Sequence, residues 1–244
     1  MKFLFFGVIQ GLTEFLPVSS SGHLYFLKRV LGLNEDLLSF FIFLHLATLF
    51  AMLLFFSKEI QSAVLKKKLL FYIFIITGIS GFFGLIIKYF FSSFFDDKYL
   101  LSFCFFINAV ILLSARRVRQ KRDSQNITLK DSLILGILQG VSIFPGISRS
   151  GITITGLLRR GLDARQAFNL SFLMAIPVIL LAFFAEFKEL SSCSLKPSYL
   201  ISGFICAFFC GMLALKILKK ILISGKFHNF GYYGLIVFII SLSL

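Results

Sequence analysis

Two short stretches of this sequence hold residue types that can do chemistry. The first, QGLTEFLPVSSSG from Gln10, places Glu14 three residues before Pro17, then Ser19, Ser20 and Ser21, with His23 close behind. The second, QGVSIFPGISRSG from Gln139, sets Arg149 among Gly146, Ser148, Ser150, Gly151 and Thr153, ahead of a helical stretch from Ile152 to Leu158. Helix N-terminal amides, hydroxyls and a guanidinium able to donate two bonds together suit a phosphate group. Both stretches are apolar, and an arginine at membrane depth costs at least about 2.5 kcal/mol, so it normally faces a cavity or a partner. Glu14 needs a cation for the same reason, and Arg149, a divalent metal or a proton would each serve. An ion pair that merely joins the two stretches is the competing reading. The hydroxyls and glycines around Arg149 exceed what a counter-ion requires. Ser20 and His23 share a helical face at the spacing of a nucleophile and its acid/base partner, although serines at a helix start are also common caps.

Other reactive types are less promising. His45 sits mid-span in FLHLATL and reads as a helix-contact histidine in preference to one bonded to the first stretch. His228 lies in a charged connection and reads as solvated. Cys104, Cys193, Cys206 and Cys210 show neither metal-ligand nor disulfide spacing.

The elements that must position these residues are membrane elements. The chain has 244 residues, 58% of them hydrophobic and only 15% charged, which excludes a water-soluble domain. Six segments are apolar over most of the roughly 20 residues needed to cross about 30 Å of hydrocarbon: Leu37 to Phe56, Leu69 to Phe91, Tyr99 to Ala115, Ala167 to Phe187, Tyr199 to Leu215, and a short last one, Phe230 to Leu244. Met1 to Val18 is not expected to be a cleaved signal, because Gln10, Thr13 and Glu14 interrupt it. Phe3 to Leu27 and Ser132 to Leu158 are broken by Pro, Gly and Ser into halves too short to span, and such breaks survive at membrane depth only where protein or a polar cavity satisfies the backbone. They read as re-entrant hairpins.

The hairpins repeat. Gln10, Gly11, Phe15, Ser19, Ser21 and Gly22 fall without a gap on Gln139, Gly140, Phe144, Ser148, Ser150 and Gly151, and FLHLA from Phe43 falls on FLMAI from Phe172. One membrane domain of two repeats is expected, about 1–115 and 131–244, joined by a basic connection over 116–130. Of the 25 Lys and Arg, 17 fall on one side of the membrane and seven on the other, which makes the first side cytoplasmic and turns both termini outward. The net charge of +14 is then a topology signal, not a nucleic-acid footprint. With that orientation the first hairpin enters from outside and the second from the cytoplasm. The expected fold is therefore all-α and polytopic, with six transmembrane helices and two re-entrant hairpins as inverted repeats whose tips meet near the midplane.

QGLTEFLPVSSSGHL (Gln10 to Leu24), FPGISRSGIT (Phe144 to Thr153) and NLSFLMAIP (Asn169 to Pro177) closely resemble the signature segments of the bacterial undecaprenyl diphosphate phosphatases, the bacitracin-resistance family. The resemblance implies removal of the terminal phosphate of undecaprenyl diphosphate, yielding the monophosphate carrier reused in cell-wall synthesis. It implies a divalent cation, Mg or Ca, and an active site opening outward from the bacterial inner membrane. Glu14 matches the family's essential acid, Ser20 and His23 its SSSGH segment, and Ser148, Arg149, Ser150 and Thr153 its second motif. Gln10 stands where the family often has Glu, so a metal would rest mainly on Glu14, with the Gln10 amide oxygen as a neutral ligand. The expected mechanism has Arg149 and the helix-start amides hold the diphosphate, with Ser19, Ser21, Gly146 and Gly151 lining the site. Glu14 and a metal neutralise charge, Ser20, His23 or water attacks, and His23 moves a proton. Homodimer assembly is left open. The rival is a broken-helix transporter or flippase of a phosphorylated polyprenyl lipid, which would need no Ser20 and His23 beside the phosphate and would release no inorganic phosphate.

Overall fold

The computed structural model describes residues 2–33, 37–95, 97–117, 127–190 and 195–243. Cys193 and the basic residues Arg119, Lys121 and Arg122 of the central connection lie outside them. The described chain is all-α: α1 (Lys2–Phe15), α2 (Ser20–Val30), α3 (Leu38–Phe55), α4 (Ser57–Val64), α5 (Lys67–Phe91), α6 (Lys98–Leu113), α7 (Leu129–Val141), α8 (Arg149–Arg159), α9 (Ala164–Ala185), α10 (Phe187–Leu190), α11 (Pro197–Ile223) and α12 (Asn229–Ser243).

Among the described residues five helices are long and apolar enough to cross a bilayer: α3, α5 with the turn that follows it, α6 with its own, α9 and α11. Large apolar side chains such as Phe74, Leu85 and Phe209 stand outward, where only hydrocarbon would cover them. The protein is thus a multi-pass membrane protein. The expected sixth crossing, α12, has 15 residues, a rise of about 22 Å against about 30 Å of hydrocarbon. α11 runs eight residues beyond the expected Leu215 to Ile223, because the Lys-rich turn continues the helix. Lys219 lies 5.9 Å from the rings of both Phe55 and Phe168, its stem along apolar surface.

Both interrupted regions are pairs of short helices, α1 with α2 and α7 with α8. α1 ends two residues before Pro17, as the restriction on pre-proline backbone demands. α7 begins at Leu129, ahead of the expected Ser132, because Thr128 and Asp131 form a reciprocal capping box. α8 begins at Arg149, ahead of the expected Ile152, so Arg149 is its first helical residue. The breaks carry the same local structure. Ser19 caps α2 by accepting the Gly22 amide, and Ser148 caps α8 by accepting the Gly151 amide. At the repeat offset, Ser20 of α2 corresponds to Arg149 of α8, and each opens its helix.

Packing exchanges the halves. α1 lies along α11 of the second half, α7 along α5 of the first, and α6 pairs with α12. Glycines at equivalent positions make the close approaches: a Cβ on Gly7 would stand 2.4 Å from the Gly203 carbonyl oxygen and one on Gly11 2.5 Å from that of Ala207. On α7, a Cβ on Gly136 would stand 2.7 Å from Ile79 Cβ, and one on Gly140 2.6 Å from Phe83 Cβ. Small residues spaced by four let helix backbones touch where lipid supplies no hydrophobic drive between helices. Phe15, Phe56, Phe168 and Phe172, all fully buried, join α1, α3 and α9.

Candidate active site

The two tips meet, and Glu14 is the point of contact. Arg149 Nη2 donates to Glu14 Oε1 at 3.0 Å, and Ser20 Oγ donates to Oε2 at 2.6 Å. Gln10 Nε2, one turn back on α1, donates to the same oxygen at 3.1 Å. The Glu14 side chain is only 9% exposed and that of Arg149 15%, so the pair is desolvated and each charge depends on the other. Pairing does not exhaust the guanidinium. Its Nη1 is buried with no acceptor among the described residues, beside the start of α8 whose first amides have no intrahelical partner.

The tips are locked together from α6. Asn108, 1% exposed, donates from Nδ2 to the Pro17 carbonyl at 3.1 Å and accepts the Ser148 amide on Oδ1 at 3.0 Å. Ser19 Oγ accepts the Gly146 amide at 3.0 Å, a second link between the hairpins. Ser19 itself has φ +70°, an uncommon conformation for a residue with a side chain. Gly146 has φ +98°, and a Cβ there would meet Cys104 Cβ at 2.7 Å and the Leu101 carbonyl oxygen at 2.9 Å, so only glycine fits. A Cβ on Gly22 would stand 2.5 Å from Phe105 Cζ, and one on Gly151 3.2 Å from Pro17 Cβ, so these glycines also serve close approach.

Several candidates prove to be occupied by the scaffold. Ser148 and Ser150 are buried and 3.1 Å apart at Oγ, and Ser148 also caps α8. Thr153, fully buried, donates to the Arg149 carbonyl and shares a 2.7 Å bond with Ser171 of α9, which leaves its hydroxyl tied between helices. Ser21 is exposed beside Ser19. The expected Ser20 to His23 pairing is not formed. His23 Nδ1 faces the Ser19 carbonyl at 2.7 Å, so it carries the proton, and Nε2 accepts the Tyr233 hydroxyl of α12 at 2.7 Å. Ser20 is paired with Glu14 instead.

Sequence reasoning missed two participants and weighed a third, His45, without placing it. Asn108 and Tyr233 have no motif around them, and their role arises only because α6 and α12 pack against the tips. His45, read in preference as a helix contact, has its Nδ1 2.8 Å from the Phe41 carbonyl oxygen of its own helix, and its Nε2 stands 3.6 Å from Glu14 Oε2, within ion-pair but not hydrogen-bond reach. A histidine in an otherwise apolar span was the available signal. A cavity of about 880 Å³ between α4, α5 and α9 holds none of these residues and, Lys67 and Thr77 apart, is lined by apolar side chains, so it offers nothing to a phosphate.

For a divalent cation, the donors present are the Glu14 carboxylate and the Gln10 amide oxygen, which is buried and without a partner among the described residues. Among the described residues no three His, Cys, Asp or Glu side chains converge. Such a set fits an ion shared with substrate oxygens.

A multi-pass helical membrane protein with a buried carboxylate, guanidinium and hydroxyl at two abutting helix breaks belongs to a class built to handle an anionic group within the bilayer. The chain belongs to the bacitracin resistance protein BacA family, whose model matches residues 3–240. It is 43% identical to the undecaprenyl-diphosphatase of Thermosipho africanus, over 99% of this chain and 98% of that one. It is 40% identical to the enzyme of the same name from Thermosipho melanesiensis (98% and 96% covered) and 38% identical to that of Methanococcus vannielii (96% and 95%).

Proposed function

We propose that this chain hydrolyses undecaprenyl diphosphate to undecaprenyl phosphate and inorganic phosphate, returning the lipid carrier to cell-wall synthesis and conferring bacitracin resistance. The observation that carries the reading is the divided use of Arg149. One terminal nitrogen is held by Glu14, and the other is buried, has no partner among the described residues and is available to a phosphate oxygen. Membership in a family whose relatives bear the name undecaprenyl-diphosphatase supplies the substrate.

In this reading Arg149 and the first amides of α2 and α8 bind the terminal phosphate and stabilise the charge that spreads over its oxygens. Ser20 attacks the phosphorus, its proton passing to Glu14 Oε2, and the bond to the bridging oxygen breaks to release undecaprenyl phosphate. Water then cleaves the phosphoserine, giving inorganic phosphate and restoring Ser20. Glu14 and Gln10 would hold a divalent cation, which when bound neutralises part of the diphosphate charge. His23, fixed by Ser19 and Tyr233, stands one helical turn from Ser20 to move a proton at the leaving oxygen. Six spans and two re-entrant hairpins in inverted repeats, with the site open to the outer face, fit the exchange of packing between halves and the bias of basic residues.

The test is phosphate release from undecaprenyl diphosphate by detergent-purified protein, with and without divalent cation, beside Arg149→Ala. Release lost in the variant is expected. A folded sample that releases no phosphate under any metal would turn the reading towards a transporter.

A further inference from the structure

The apolar cavity between α4, α5 and α9 has a polar annex. A chamber of about 160 Å³, with Glu59, Ser62, Lys66, Gln166 and Asn169 on its walls, adjoins it, and Ala63 and Leu173 line both. The cavity itself opens sideways to the membrane, since Val64, Phe71, Phe74, Leu181 and Phe184 on its walls are each more than half exposed. Its depth is that of one leaflet. Along α5 it runs from Lys67 to Thr77, a rise of about 15 Å, or half of the roughly 30 Å of hydrocarbon. A helix of a second copy would need a groove along the whole span, whereas an acyl chain of one leaflet needs only this depth. The volume of about 880 Å³ lies within the roughly 300–1,000 Å³ of small-molecule sites.

The annex lies at the charged end of this cavity. Lys66 immediately precedes α5, Glu59 is in α4, and Gln166 and Asn169 are in the first two turns of α9. Glu59 is half-buried and Lys66 exposed, and among the described residues neither forms an ion pair. Asn169 Oδ1 is buried and has no hydrogen-bond partner among the described residues, a state that costs free energy until a donor arrives. A carboxylate, an ammonium and an orphaned amide oxygen thus line one space without satisfying one another. A phosphoethanolamine group complements all three. Its primary ammonium can donate to Glu59 and to Asn169 Oδ1 while its phosphate meets Lys66. A choline head has the same charges but no N–H to donate, and a glycerol head leaves the lipid with a net negative charge that Glu59 opposes.

We propose that the cavity and its annex form a binding site for one aminophospholipid of the leaflet on the lysine-rich side, with an acyl chain between α5 and α9 and the headgroup ammonium on Glu59 and Asn169. The site shares no residue with Glu14, Ser20 or Arg149 and does not depend on the phosphatase reading. The test is native mass spectrometry of the full chain in detergent, titrated with phosphatidylethanolamine, phosphatidylcholine and phosphatidylglycerol of identical acyl chains. Phosphatidylethanolamine should bind about tenfold or more tightly than phosphatidylcholine, the worth of one charge-assisted hydrogen bond. Glu59→Gln and Asn169→Leu should each erase that preference and leave phosphatidylcholine binding unchanged.

A phosphatidylethanolamine carrying a photoactivatable group on its acyl chain locates the lipid in the unmutated chain, which keeps the proposal falsifiable if Asn169→Leu does not fold. Labelling of Phe71, Leu180 or Leu181 is expected. Equal binding of the three lipids, a preference for phosphatidylglycerol, a preference that survives both substitutions, or labels confined to other helices would each overturn the proposal. So would a dimer whose cross-links place a second copy between α5 and α9.

Discussion

Asn108 ought to be worth more to this protein than its lack of any motif suggests. Replacing it by Leu, of similar size, removes both bonds that hold the hairpin tips in register, from Nδ2 to the Pro17 carbonyl and from the Ser148 amide to Oδ1. The site is 1% exposed, so neither group gains bulk water in exchange. A buried polar group left unsatisfied costs about 1–3 kcal/mol, so two cost about 2–6 kcal/mol if nothing moves. The tips relax instead of bearing the upper figure, and the relaxation separates Ser20 and Glu14 of one hairpin from Arg149 of the other. A misplacement of about 1 Å at a reacting group costs about 100-fold, or about 2.7 kcal/mol of barrier. Asn108→Leu should therefore lower phosphate release about 100-fold and destabilise the protein in detergent by about 2 kcal/mol. Asn108→Asp, which keeps the acceptor for Ser148 but sets a carboxylate against the Pro17 carbonyl, should retain the amide bond and lose the other. The assays are steady-state phosphate release and thermal unfolding on matched samples. If Asn108→Leu kept its rate within threefold and its unfolding midpoint unchanged, the clamp would have no functional weight and the reasoning would be refuted.

Four further outcomes follow from the same geometry. Arg149→Lys keeps the charge but cannot serve Glu14 and a phosphate at once; losing one charge-assisted bond of about 1.5–3 kcal/mol should reduce kcat/KM roughly 10- to 100-fold. Ser20→Ala should abolish a phosphoserine trapped by acid quenching and located by mass spectrometry, and a phosphorylated residue elsewhere would transfer the attack from Ser20. Gly11→Leu forces a side chain where a Cβ alone would stand 2.5 Å from the Ala207 carbonyl oxygen, so the variant should elute as aggregate, whereas a monodisperse, active protein would contradict the close α1 and α11 contact. Asp131 is buried, which by itself raises its pKa, but bonds from Thr128 and Arg160 outweigh this and hold the carboxyl below its ordinary value. Its stabilisation is present above the unfolded pKa of about 3.9 and lost as pH falls through the folded value. Asp131→Asn should therefore lower the unfolding midpoint near neutrality and flatten its decline below about pH 4.

The local order of the chain determined a great deal. Glu14, Pro17 and the serine run, with Pro145, Gly146 and Arg149 in the second copy, mark two helix breaks holding charge in an apolar setting. Proline geometry and the cost of charge in hydrocarbon act on any chain with those residues, whatever surrounds them. The Ser19 and Ser148 caps follow from the same local rules. Helix boundaries were legible except where a cap or a lysine-rich turn extended them, as at Thr128 and beyond Leu215. Tertiary structure alone decided who meets whom. Ser20 lies three residues from His23 yet bonds Glu14, because the break folds α2 back towards α1, while His23 finds Tyr233, 210 residues away, because α12 packs on α6. His45 reads as one polar residue in an apolar span until α3 sets it above Glu14. Asn108 acquires its two partners only when both tips arrive. Pairings of this kind depend on which helix faces meet, and that is settled by glycine contacts and aromatic packing summed over the whole bundle, not by any window of sequence.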